Sequence, residues 1–157
     1  MAMTVAACLA LLGYSFARLP GWRDQRWLWL IAASASLYTG FNILVTLDVP
    51  EWLIRFGAHS AWAAMTLHVV AWNLHVAAHL HTPLSRWERA LVLSAALVAP
   101  LALIPGVALE ERILSHTWMG VRYREPDITS IGQLFAVPLY GAFLVPLWRV
   151  VNAARTN

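Results

Sequence analysis

Residues 59–81 read HSAWAAMTLHVVAWNLHVAAHLH, and the reading of this stretch decides the fold. It is apolar and long enough to cross about 30 Å of hydrocarbon as a helix. Yet it carries five of the chain's six histidines. At about 100° per residue, His68, His75 and His79 fall within roughly 40° of one another on one helical face, with Trp72 beside them. Imidazoles at membrane depth are costly, and they face a partner, a cavity or a ligand. The candidate site starts from this face.

The composition points the same way. Of 157 residues, 60% are hydrophobic and 12% charged, against about 25% charged in an ordinary soluble domain. The single cysteine, Cys8, excludes a disulfide framework and a CxxC metal site. The net charge of +3 rests on eleven arginines and no lysine. These arginines sit dispersed at the ends of apolar segments, so there is no basic patch suited to nucleic acid.

Five apolar segments emerge outward from the histidine stretch. The first, Met1–Ala17, is the shortest; a retained helix is favoured over a cleaved signal peptide because no basic residues precede it. The second, Trp27–Leu47, carries a polar line, Ser34, Tyr38 and Asn42, and a line of small residues, Ala32, Ser36 and Gly40, of the kind that lets transmembrane helices approach closely. Asp48-Val49-Pro50-Glu51 ends this segment and opens a short loop, since Pro50 cannot continue the hydrogen-bond ladder, and Trp52–Phe56 are expected at the membrane interface ahead of the third, histidine-bearing segment. Ser85-Arg-Trp-Glu88 has the spacing of a capping box and opens the fourth, Trp87–Leu103. The fifth, Ile128–Val151, is interrupted by Pro138 and Pro146 and holds Gln133 and Tyr140. Between the last two lies the one long polar connection, Gly106–Ile131, in which His116–Arg124 has the turn and alternation of a small hairpin.

With five spans and the N-terminus outside, the inner side receives Arg18, Arg23, Arg26, Arg86, Arg89, Arg149 and Arg155. The outer side receives Arg55, Arg112, Arg122 and Arg124. That asymmetry predicts a cytoplasmic C-terminus in a bacterial inner membrane. The expectation is an all-α integral membrane helical bundle of about five transmembrane helices, one domain over residues 1–157.

The candidate ligand-binding residues are Tyr38, Asn42, His68, Trp72, His75, His79, Gln133 and Tyr140, lining one wet cavity with the polar connection as its lid. His75 and His79, at i and i+4, can present two imidazoles to one metal ion, whereas His68 lies about 10 Å along the axis from His75 and cannot share it. Apart from Glu88 at the start of the fourth segment, no carboxylate falls inside an expected span, and no GxSxG or phosphate-binding glycine loop occurs.

Trp118-Met-Gly-Val-Arg-Tyr123, Thr129-Ser-Ile-Gly132 and the Pro- and Tyr-containing final segment resemble the N-terminal multi-helix membrane sensor regions of bacterial histidine kinases and diguanylate cyclases. The resemblance covers about residues 26–155 and implies a sensory, ligand-binding module without catalysis of its own. Its partners would be the lipid bilayer, a small molecule and a membrane protein or second copy, not nucleic acid. Two other readings stay open. One is a haem- or metal-binding redox subunit using His68, His75 or His79. The other is a structural subunit docking through Ala32, Ser36 and Gly40.

Overall fold

A computed structural model describes residues 26–156. Helix α1 (Arg26–Ile43) runs into a short 3-10 turn (Leu44–Thr46); α2 (Glu51–His79) and α3 (Arg86–Ala102) follow. Strands β1 (Leu109–Trp118) and β2 (Val121–Ile128) then lead to α4 (Ser130–Thr156). The expected first segment, Met1–Ala17, and its signal-peptide alternative lie outside the described residues.

The all-α, five-span expectation is overturned: the described residues form four helices and a two-stranded antiparallel sheet. The polar connection is a hairpin much longer than the expected His116–Arg124. Its turn, Met119-Gly120, has positive φ at both residues (49° and 77°), the backbone a two-residue type I′ turn requires. From Trp118↔Val121 the register runs to Ile113↔Pro126, then shifts before Leu109↔Ile128. A shift of this kind twists and re-aims a strand. Pro126, which has no N–H to give, is tolerated because a two-stranded ribbon has only edges.

Among the described residues, two helical segments are long and apolar enough to cross a membrane by length and composition, Arg26–Thr46 and Ser130–Arg155. The histidine-bearing α2 is not among them. Glu51, Arg55, His59, His68, Asn73, His75 and His79 dilute its apolar content. At 17 residues, α3 falls short of the ~20 needed. Trp52–Phe56 belong to the first turns of α2, which begins directly after Pro50.

Helix α2 is the hub, packing against α1, α3 and α4. The main core joins Val69 of α2 to Ala95 and Val98 of α3 and to Leu139 and Ala142 of α4. A second cluster, Ala58, Ala102, Ala108 and Leu109, seats the base of the hairpin. Close approach between α1 and α2 comes at Gly57, where a Cβ would stand 2.8 Å from Leu44 Cδ1 and 3.1 Å from the Phe41 carbonyl. Gly40 of the expected small-residue line does not supply it, since a Cβ there would meet nothing within 4 Å.

The hairpin is pinned at both ends. Arg124 donates to Asp48 (3.2 Å) and to the Val49 carbonyl (3.1 Å). At its foot the Thr129 N–H donates to the Ala108 carbonyl (3.1 Å). The Thr129 hydroxyl donates to Val107 and accepts from the Gly132 N–H (2.9 Å), capping α4. Gly132 has to be glycine, because a Cβ there would lie 2.1 Å from the Ala108 carbonyl oxygen.

At the opposite end the capping box of α3 forms as its spacing predicts: the Ser85 N–H donates to Glu88 (2.7 Å) and the Glu88 N–H to Ser85 Oγ (3.4 Å). Glu88 also holds Arg149 of α4 at 2.8 Å, with both side chains buried. Arg149 donates further to the Thr82 carbonyl (2.6 Å) and hydroxyl. Burial alone would raise the Glu88 carboxyl, but the Ser85 hydrogen bonds and the Arg149 guanidinium together hold it below the usual carboxylate range.

Two outcomes follow from these anchors. A depressed acid adds stability that is complete above its unfolded pKa, about 4.3, and is lost as pH falls through the lower folded value. Thermal melts in neutral detergent should therefore show stability falling below about pH 4.3, with a shallower fall in Glu88→Gln. At neutral pH Glu88→Ala should lose about 3–5 kcal/mol by stranding Arg149. Gly132→Ala should cost about 1–3 kcal/mol and speed amide exchange across Leu109–Ile128, while Gly40→Ala should do neither.

Candidate functional site

A cleft opens between α1 and α4, floored by α2 and roofed by the hairpin. It has two compartments of about 370 and 400 Å³ that share Trp62, Met65, Ile128 and Tyr140 as walls. Each is of the size that holds a small ligand.

The outer compartment is the more polar of the two, with about half of its lining polar. Tyr38 and Asn42, one turn apart on α1, face His116, Glu125 and Asp127 of the hairpin. Pairing across the strands builds this roof: the His116 and Tyr123 rings stack at 5.5 Å and 10°, and His116 Nε2 lies 3.6 Å from the Glu125 carboxylate. Asn42 donates to the Tyr38 carbonyl (2.8 Å), and Asp127 accepts from the Ile128 N–H (2.8 Å). The hydroxyls of Tyr38 and Tyr140 make no hydrogen bond among the described residues.

The inner compartment is apolar. Met65 and Val69 of α2 face Gln133, Ala136, Tyr140 and Phe143 of α4, which recur every three or four residues and so share a helical face. His68 brings the one imidazole of this compartment. Its Nδ1 lies 3.2 Å from the Ile31 carbonyl and 3.3 Å from Ser34 Oγ. A carbonyl only accepts, so Nδ1 carries the proton and Nε2 is left as an acceptor. Ser34 is held in turn by the Leu30 carbonyl (2.6 Å).

Of the eight residues expected at the site, the structure brings Tyr38, Asn42, His68, Gln133 and Tyr140 to this cleft. Trp72, His75 and His79 do not line it. Trp72 packs edge-on against Phe143 (5.1 Å, 67°), supporting a wall from behind. His75 and His79 stack on each other at 6.1 Å. They share the face of His68 but stand about 10 and 16 Å farther along the axis, past the end of the cleft. Among the described residues no three or more His, Cys, Asp or Glu side chains are grouped to hold a metal ion.

The sequence reading missed Trp62 and Met65, and reached His116, Glu125 and Asp127 only as parts of the polar connection expected to serve as the lid. A signal for the first two existed. Ala58, Trp62, Met65 and Val69 form an i, i+4, i+7, i+11 stripe, and His68 sits about 100° from Val69 at its margin. The hairpin residues carry no such periodicity, because it is the register that brings them to the roof. No family model, no curated protein and no solved structure matches this chain.

Proposed function

We propose that this chain is a non-catalytic, membrane-embedded sensory module that binds a small amphiphilic molecule in the cleft between α1 and α4. The observation that carries the reading is the join of a polar compartment under the hairpin to an apolar one between the helices, through shared walls. A molecule with a polar head and a short apolar tail matches that division. The exposed apolar face of α4, with Leu134, Val137 and Leu144 at 60–70% exposure, supports a bilayer around the protein. The core helix of a soluble domain would be mostly buried, whereas only 17% and 22% of the two apolar windows are. In a multi-pass inner-membrane placement, Arg26, Arg86, Arg89, Arg149 and Arg155 mark the cytoplasmic end and the hairpin lies outside. Occupancy of the cleft would then bear on α4, whose far end is tied by Arg149 to Glu88 and the α2–α3 turn. The weak likeness to bacterial sensor regions favours the same role.

Photolabelling tests the reading. A diazirine-bearing decanol, added to the full chain in dodecyl maltoside, should label peptides spanning Trp62–Val69 and Gln133–Phe143. Ala136→Phe, which fills the inner compartment, should cut that labelling about tenfold. Labelling spread over Leu93, Leu97 and Leu134 and indifferent to Ala136→Phe would contradict it.

A further inference from the structure

We propose that the head group taken by the outer compartment is cationic, an alkylammonium rather than a phosphate, sulfate or sugar. This rests on the amphiphile-binding reading above and narrows it to one class of ligand. The charge on the walls is one-sided. Glu125 and Asp127 line the compartment, and no arginine does among the described residues, although the hairpin carries Arg112, Arg122 and Arg124. Two of those guanidinium groups are engaged elsewhere: Arg124 on Asp48 and Val49, Arg122 on Ser115 Oγ (3.0 Å). The one basic group on the wall, His116, sits 3.6 Å from Glu125. An anionic head would meet two carboxylates there with no arginine to offset them.

The other walls suit a cation as well. Trp62 and Tyr140 are walls of both compartments, and Tyr38 lines the outer one. Aromatic faces combined with carboxylates favour an ammonium, which the ring quadrupoles attract when water is displaced. The apolar compartment below, with Met65, Val69, Ala136 and Phe143, takes the alkyl chain. A head and tail so disposed would lie along the cleft with the nitrogen under the hairpin.

The test compares three ten-carbon probes on the full chain in dodecyl maltoside: decyltrimethylammonium, decanol and decyl sulfate, each below its own micelle concentration. Ligand-induced rise in Tm gives the apparent affinities. The expected result is that decyltrimethylammonium binds about tenfold more tightly than decanol and that decyl sulfate gives no rise. The double variant E125Q/D127N, which keeps both side chains' size and one acceptor oxygen on each, should lose that advantage while still binding decanol. Should that variant fail to fold, Tyr38→Leu with Tyr140→Leu removes aromatic walls and should likewise weaken the ammonium more than the alcohol. Equal binding of ammonium and alcohol, or preference for the sulfate, would overturn the cationic assignment and leave the amphiphile reading standing. A rise with none of the three would overturn the assignment too, and the decanol photolabelling pattern then decides separately whether the cleft accepts an alkyl chain.

Discussion

Three polar side chains on α2, His59 and Asn73 buried and His68 half-buried, each reach a different neighbour, and the arrangement of the bundle depends on them. His68 donates to the Ile31 carbonyl of α1. His59 donates from Nδ1 to the Ala102 carbonyl at the end of α3 (2.5 Å). Asn73, fully buried, donates to Ala142 of α4 (2.8 Å). A buried donor left without its acceptor costs about 1–3 kcal/mol, so each contact fixes both the rotation and the depth of a helix against α2. With α1 and α4 held at different stations around one central helix, the space between them stays open as a cleft.

The ends of the bundle complete what the middle begins. At one end Thr129 and Gly132 draw the hairpin base onto α4, and Arg124 draws its arm onto the α1–α2 connection. The hairpin thereby becomes a roof over the cleft. At the other end Arg149, Glu88 and Thr82 lock α4 to the α2–α3 turn. A change in the spacing of α1 and α4 at the roofed end thus has a rigid point to pivot on, as a module that transmits occupancy along α4 would need.

What the sequence made legible was local. The capping box at Ser85 and Glu88 and the polar line through Tyr38 and Asn42 follow from spacing alone, and the structure places each where its spacing puts it. The histidine face was legible in angle but not in depth. Periodicity shows that His68, His75 and His79 point one way, and says nothing of how far along the axis a neighbour leaves room. The hairpin was legible only at its tip, as a turn within His116–Arg124: its strands are polar and half-exposed, and their placement rests on the positive-φ turn at Met119-Gly120 and on contacts with Asp48 and Val49 from a distant part of the chain. Glu125 and Asp127 look like solvated charges until the register turns them over the cleft.

The most direct test of α2 as the hub is the ring tautomer of its histidines. Because the Nδ1 atoms of His59 and His68 both face backbone carbonyls, ¹⁵N spectra of the full chain in neutral detergent should show both rings protonated at Nδ1 and unprotonated at Nε2. Rings carrying their proton at Nε2, or exchanging freely between the two forms as in water, would mean that these side chains do not hold α1 and α3 and that the cleft is not built in this way.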